Sequence, residues 1–486
     1  MGIIQRQGIK GTLVTAVGLL IGMVSILWVQ PNLLSPEEIG LTRVLYNFSA
    51  MVAVFMPLGM ANATTRFFPV FRHRESGHHG FLGIILVFAF IGGVICSVFL
   101  YLFSDYFIAL YSEQSELFSR FFFWVFPLSL TIALIMLLNV YCYSAILRAT
   151  MPSFFNDVLL RLLLIILFIT YSLGKIALQE FVIGYILCYV FQLSLLILYI
   201  LWMDKVSLRI DWPFLRLHIR YILRFGLFMS FVAFGSLGIK MLDSLILAGY
   251  SLKWVGIYSI AAFIPNIIEI PVIALDKIGG SVVSLNISEK NWSELRRIYS
   301  LSVHYLFLTG GLIFLLIVIN MPFAIQLLPE AYAGGLQVVY IAGIGALCQT
   351  LAGTSTAMLF NAESYVKAGI SLLILVLINL SLNFLLIPRW GMTGAATAAA
   401  ISAAAYTIIR WSLTWHEYRM HPFTPSLAKI GLVIAIGLLL NSFIPTVLHP
   451  LPNILLRSSI IMLVYGVAVF ILRLAPEVIE WLKRYR

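Results

Sequence analysis

Charge is what this sequence has least of. Of its 486 residues only 10% are charged and 61% are hydrophobic, whereas a soluble domain carries about a quarter charged residues. Such a chain cannot cover a water-facing surface, which excludes a soluble globular protein. Cysteine is scarce as well. The four present, Cys96, Cys142, Cys188 and Cys348, fall in or at the ends of apolar stretches with no C-x-x-C spacing, so neither a disulfide framework nor a zinc site is expected. No G-x-x-x-x-G-K-[ST] loop occurs, the lone Gly174-Lys175 lacking the rest, and the eight histidines form neither H-E-x-x-H nor a Cys/His cluster. A serine nucleophile elbow is missing too. No connection between apolar runs is long enough to fold as a domain, the largest being 203–223 and 277–298. These absences favour a transporter over an enzyme, and any function must lie within the helices or their short loops.

What is present is apolar sequence in lengths that suit a bilayer, which takes about 20 residues per helix. Fourteen such stretches are expected between residues 11 and 474. The first covers 11–30, the second 42–63, the seventh 224–249, the eighth 254–276, the eleventh 367–387, the twelfth 392–414 and the last 455–474. The first is read as a transmembrane helix and not a signal peptide, because Gln30-Pro31-Asn32 follows without a small-residue cleavage site.

The net charge of +11 would suggest nucleic acid in a soluble protein, yet here it resolves into topology. Sorted by alternate connections, 24 of the 31 Lys and Arg fall on one side, among them Arg66, Arg72, Arg74, Arg148, Arg161, Lys205, Arg410 and the tail Lys483, Arg484 and Arg486. Six fall on the other side, including Arg43 and Arg457, and Lys240 lies inside a helix. By the positive-inside rule both termini are cytoplasmic. No nucleic-acid partner is expected.

Weak internal repetition adds an architecture. Ser35-Pro36-Glu37-Glu38-Ile39-Gly40 is echoed by Ser251-Leu252-Lys253-Trp254-Val255-Gly256, Pro57 by Pro271, and Ser144-Ala145-Ile146-Leu147 by Thr356-Ala357-Met358-Leu359, at nearly constant offset. Duplication of a six-helix unit gives parallel repeats. The expectation is an all-α polytopic protein of 14 transmembrane helices: an N-terminal lobe at 1–205, a C-terminal lobe at 220–415 and two accessory helices at 425–475.

Charges inside helices are the strongest local signals, because each costs several kcal/mol unless paired or wetted. Lys240 and Asp243, spaced i, i+3, either lock helices together or present a cation to an anionic substrate with Asp243 binding a coupling cation. Glu269, between Pro265 and Pro271 where the helix is loosened, is either a proton or cation site or a partner for Lys240. Asp276, beside Lys277, reads as interfacial. In the first six helices no clear intramembrane carboxylate stands out. Asn379 and Asn383, at i, i+4, either glue helices together or offer oxygens to sodium, and Thr397 could face them from a helix in which 13 of the 15 residues 391–405 are Gly, Ala, Ser or Thr. Arg66 and Arg148 either set topology and meet lipid headgroups or form a basic funnel for a phosphorylated substrate.

Taken together, Leu33-Leu34-Ser35-Pro36-Glu37-Glu38-Ile39-Gly40, Asp243-Ser244-Leu245-Ile246-Leu247, Val255-Gly256-Ile257-Tyr258-Ser259, Ile268-Glu269-Ile270-Pro271, Asn383-Phe384-Leu385-Leu386-Ile387-Pro388 and Gly391-Met392-Thr393-Gly394-Ala395-Ala396 resemble a known family. It is the polysaccharide-transport branch, of O-antigen flippase type, of the multidrug/oligosaccharidyl-lipid/polysaccharide exporter superfamily. The resemblance implies two six-helix lobes around a central cavity that alternates between inward-open and outward-open states. Its cargo would be an oligosaccharide on undecaprenyl pyrophosphate, moved from the cytoplasmic to the outer leaflet of a bacterial inner membrane, with glycosyltransferases and a polysaccharide polymerase as partners. No cofactor is implied beyond Na+ or H+ coupling. Carried over by position from lipid II flippases, a sodium site would use Asp243, Asn379, Asn383 and Thr397, and the last two helices would hold the lipid tail. Asn383 stands where those flippases have a second carboxylate, and helix 1 lacks their arginines, Lys10 being its only basic residue. Lys240, Glu269, Arg66 and Arg148 are the expected substrate contacts. The alternatives are a lipid II flippase and a cation-coupled multidrug exporter.

Overall fold

The computed structural model describes residues 3–73, 77–112, 116–203, 207–361, 365–446 and 449–475, and Arg74, Lys205, Lys483, Arg484 and Arg486 lie outside them. Among the described residues the chain is all-helical, with no strand. The helices used below are α1 (Ile3–Val24), α2 (Pro36–Ala53), α3 (Met60–Phe71), α4 (Phe81–Leu102), α5 (Val125–Tyr141), α6 (Leu160–Ser172), α7 (Leu178–Met203) and α8 (Trp212–Ala248). They continue as α9 (Leu252–Phe263), α10 (Ile270–Ser288), α11 (Trp292–Ala324), α12 (Leu336–Thr350), α13 (Ser355–Asn361), α14 (Tyr365–Tyr418), α15 (Pro425–Leu440) and α16 (Pro450–Ile471).

Among the described residues twelve helical stretches are long and apolar enough to cross a membrane. Two features account for the difference from the fourteen apolar runs. The stretch Val366–Tyr418 has 53 residues, about 80 Å if straight and more than twice a hydrocarbon core. It is broken at Gly391, whose φ of 57° and ψ of −129° suit glycine. The second expected run, 42–63, is interrupted as Pro57 implies, since α2 ends at Ala53 and α3 starts at Met60 after Leu58 and Gly59 take positive φ. Its start lies earlier than hydropathy places it. A capping box sets the boundary, with the Glu38 amide donating to Ser35 Oγ at 3.3 Å and the Ser35 amide donating to Glu38 Oε2 at 2.8 Å. Arg43 therefore stands two turns inside α2.

The chain divides into two compact units, Met1–Gly256 and Ile257–Arg486. In the first, α8 packs on α2 and α3, and α2 on α5. Phe48 anchors this packing, with its ring 5.3 Å from Phe107 and 5.9 Å from Phe122. The repeated motif closes on itself here: a methyl group added to Gly40 would lie 2.0 Å from the Leu252 carbonyl oxygen, and one added to Gly256 would lie 1.9 Å from that of Pro36. Residues 36 and 40 thus meet 252 and 256 reciprocally, as in an isologous contact. In the second unit α11 packs against α12, α15 and α16. Its core includes Leu315, Ile434 and Ile461, and the Tyr465 hydroxyl donates to the Leu308 carbonyl at 2.7 Å.

Large apolar side chains stay exposed on these helices, such as Leu455, Leu463 and Phe470 of α16. Lipid is the solvent that suits them, and between helices in lipid the binding force is close packing and interhelical hydrogen bonds, not water exclusion.

Candidate functional site

Among the described residues three π-helical turns interrupt the first unit, at Ser25–Val29, Cys142–Ile146 and Phe154–Leu159. A π turn re-aims side chains by one extra residue, and such turns gather at functional sites. The first and third of them border a cavity of about 480 Å³ that is walled by α1, α2, α5, α6, α7 and α8.

Two arginines line it, Arg43 from α2 and Arg161 from α6. The span containing Arg161 runs Thr150–Ser172, so eleven residues lie on either side of it, which puts the guanidinium's backbone about 16 Å from each end. Arg43 Nη2 donates to Gln30 Oε1 at 3.1 Å, and its buried Nε has no hydrogen-bond partner. Arg161 Nη1 donates to the Gly18 carbonyl of α1. Only glycine at position 22 leaves room for that guanidinium, since an added methyl would sit 1.8 Å from Nη1. Asp157, one turn before Arg161, accepts from Thr15 Oγ1 at 3.0 Å. Among the described residues the close ion pairs are His79–Asp211 and Arg297–Glu294, so neither cavity arginine is neutralised by a carboxylate within 4 Å.

Neutral polar groups complete the wall. Asn139 Nδ2 and Gln192 Nε2 both donate to Asn156 Oδ1, the former at 3.3 Å. The Tyr185 and Tyr189 hydroxyls are 3.2 Å apart, and the Tyr46 and Tyr189 rings stack at 6.0 Å. With two guanidinium groups against one carboxylate the cavity has an excess of positive charge, in a place where an unpaired charge is expensive. Such a lining suits an anion better than a cation.

This site corrects three sequence-based assignments. Arg43 and Arg161, sorted by loop counting to opposite sides of the membrane, line one cavity, because capping starts α2 early and the Arg161 span begins at Thr150. Asp157 is an intramembrane carboxylate in the first six helices, where none stood out. The signal was legible: Arg161 is the sole charge in Val158-Leu159-Leu160-Arg161-Leu162-Leu163-Leu164, and the topology count absorbed it.

The residues singled out from sequence are placed as follows. Lys240 of α8 is exposed and does not line the cavity, although its neighbours Leu237 and Met241 do. Asp243, 3% exposed, stands in a different environment from Lys240. Arg66 is exposed with its guanidinium 4.6 Å from the centre of the Phe225 ring, and Arg148 is exposed just after left-handed Leu147, so both lie off the cavity. In the second unit Asn379 and Asn383 are fully buried and joined to the far half of α14. Asn379 Nδ2 donates to Ser402 Oγ at 3.2 Å, and Asn383 Nδ2 donates to Asn379 Oδ1 at 3.0 Å. Thr397 Oγ1 donates to the Thr393 carbonyl of its own helix at 2.7 Å. Asn379 Oδ1 and Thr397 Oγ1 are neutral oxygens of the kind that coordinate sodium, and both are already engaged in hydrogen bonds within α14. No group of three or more His, Cys, Asp or Glu able to hold a metal occurs among the described residues.

Glu269 ends the 3₁₀ turn Ile264–Glu269, as its flanking prolines imply. Arg410 lies within electrostatic reach of Glu269 and also attracts Asp276. Arg410 went unnoticed as a site residue because it sits near a helix end. It is 6% exposed, donates through Nη1 to Thr356 Oγ1 at 3.0 Å and through Nη2 to Gln349 Oε1, and lies 4.2 Å over the Tyr406 ring.

No protein-family model and no curated protein matches the chain. Solved structures do. The lipid II flippase MurJ in an inward closed conformation aligns over 96% of this chain and 98% of its own, with a TM-score of 0.74 and 14% identity. An inward-facing multidrug resistance MATE family transporter of the MOP superfamily aligns over 85% of this chain and 98% of its own, with a TM-score of 0.66 and 15% identity. A MOP superfamily transporter from Pyrococcus furiosus, described as having a binding pocket of reversed polarity that suggests a different function, aligns over 86% of this chain and 95% of its own, at a TM-score of 0.56 and 15% identity. At such identities the likeness is one of fold. The chain is a multi-pass membrane protein with the helical fold of these transporters.

Proposed function

We propose that this protein is a flippase that carries an undecaprenyl-pyrophosphate-linked oligosaccharide from the cytoplasmic to the outer leaflet of a bacterial inner membrane, by alternating access across fourteen helical crossings with both termini cytoplasmic. The observation that carries the reading is the pair Arg43 and Arg161, which line one polar cavity, Arg161 midway along its apolar span, with no carboxylate within 4 Å of either among the described residues. Attraction between charges grows steeply as the dielectric falls, so two guanidinium groups there hold a diphosphate, while the polyprenyl tail stays in lipid and the sugar occupies the polar wall. Guanidinium forks match phosphate oxygens two at a time. The fold shared with a lipid II flippase supports a lipid-linked cargo.

Two arginines against Asp157 disfavour the cationic substrates of a multidrug exporter. Coupling to Na+ or H+ is assigned to buried Asp243 in the first unit and to Asn379, Asn383 and Thr397 in the second, each a separate candidate. Glycosyltransferases that build the cargo and a polymerase that consumes it are the reactions such a step joins.

The test is export of surface polysaccharide in a host lacking the gene. Arg43→Gln with Arg161→Gln is expected to abolish complementation at normal expression, and neither variant should alter resistance to quaternary ammonium drugs. Full complementation by the double variant sinks the proposal.

A further inference from the structure

Both cavity arginines are held by neutral oxygens of the first membrane span, Leu13–Leu33. Arg161 Nη1 donates to the Gly18 carbonyl, and Arg43 Nη2 donates to Gln30 Oε1 at 3.1 Å. The π turn before it aims Gln30. In a regular α-helix residues five apart stand about 140° from one another around the axis. The turn Ser25–Val29 brings positions 25 and 30 into line, so that the Gln30 backbone N–H donates to the Ser25 carbonyl and Gln30 Nε2 donates to Ser25 Oγ at 3.4 Å. With its nitrogen engaged there, the side chain turns its oxygen to Arg43. Gln30 is 8% and Ser25 5% exposed, and both line the cavity with Arg43.

A glutamate at position 30 would hold Arg43 more firmly, since a charge-assisted hydrogen bond is about twice as strong as a neutral one, yet it would cancel the guanidinium charge. The amide holds the same group and cancels nothing. A clamp that served packing alone would favour the carboxylate, because an uncompensated cation inside a membrane span is costly. Arg43 and Arg161 are each partly exposed and line the cavity, so their charge is open to a ligand there. We infer that Gln30 is a positioning residue of the anion site: it fixes Arg43 through an amide and so keeps the full guanidinium charge for a multiply charged phosphate group. Gln30 thereby sets the charge of the site, a role that rests on the diphosphate reading above.

The experiment measures binding of farnesyl diphosphate and farnesyl monophosphate to the purified full chain in nanodiscs, with the thermal unfolding midpoint beside it. Gln30→Glu is expected to weaken the diphosphate at least about tenfold and the less charged monophosphate by a smaller factor. Its midpoint should stay at or above that of the wild type, since the guanidinium gains a carboxylate. Diphosphate affinity within about twofold of wild type overturns the role of Gln30. So does an equal loss for both probes with a lowered midpoint, which is the mark of packing damage. Gln30→Met keeps the length of the side chain and removes the acceptor, and it tests the same role where the glutamate variant does not fold. It should weaken the diphosphate about fivefold in the wild type and by less than about twofold in an Arg43→Gln background, because it acts through Arg43. Equal effects in the two backgrounds overturn the positioning role. A wild type that binds neither probe overturns the proposed function and the role of Gln30 with it. A wild type that binds the diphosphate beside Gln30 variants that bind it as tightly overturns the role of Gln30 alone.

Discussion

Replacing Gly22 with alanine adds one methyl group where α1 meets the Arg161 guanidinium. That methyl would lie 1.8 Å from Nη1 and 2.5 Å from Cζ, and ordinary contact begins at about 3.5 Å. The guanidinium must therefore retreat by about 1.7 Å, surrendering its bond to the Gly18 carbonyl. Because it is the end of a flexible side chain, the helices need not move, and the change in stability should stay within about 1 kcal/mol. Binding responds differently. A unit charge drawn back from about 4 to about 5.7 Å from a phosphate oxygen loses about 1.2 kcal/mol at an effective dielectric of about 20, roughly an eightfold drop in affinity. The assay is farnesyl diphosphate affinity in nanodiscs beside the thermal unfolding midpoint. A Gly22→Ala protein with unchanged affinity would refute the assignment of Arg161 to the ligand, and a large fall in midpoint would refute the claim that the helices hold.

Gly40→Val and Gly256→Val should each cost about 3 kcal/mol, since the added carbon meets a backbone carbonyl that cannot swing aside; a thermal-shift measurement with no fall in either variant contradicts the reciprocal contact. Arg410→Ala should destabilise by about 2 to 5 kcal/mol by stranding Gln349 and Thr356, and Arg410→Met, which fills the space but donates no hydrogen bond, should keep most of that loss; full recovery in Arg410→Met would refute the stranding argument. His79 at 2.9 Å holds the Asp211 carboxyl below the usual carboxylate range, aided by the Phe214 amide. A depressed carboxyl contributes stability above its unfolded pKa, about 4, and loses it as pH falls through the folded value. The thermal-shift gap between wild type and Asp211→Asn is therefore expected at pH 7 and should close below about pH 4; a gap that widens on acidification contradicts the pairing.

Much of this protein is legible without coordinates. The apolar runs forecast the helices, Pro57 the break between α2 and α3, and Pro265 with Pro271 the 3₁₀ turn that ends at Glu269. The spacing of Asn379 and Asn383 put them on one face, where they bond to one another and to Ser402. Loop counting misjudged Arg43 and Arg161 because it treats a basic residue near a run's end as a surface marker, and a capping box or a helix starting a turn early moves such a residue inside. Lys240 drew attention as a lone charge in an apolar helix, yet position along a helix leaves its rotation open, and that rotation exposes Lys240 while Met241 lines the cavity.

The sequence by itself determined which segments leave water, because transfer into lipid depends on the summed hydropathy of a local stretch and on little else. Tertiary structure alone decided which polar groups converge. Arg43, Asn139, Asn156, Arg161 and Gln192 come from four helices and one π turn, and no local property of any of them encodes a shared cavity. Their meeting depends on how each helix is rotated about its axis and where it crosses its neighbours, and that is set by close packing of many side chains at once.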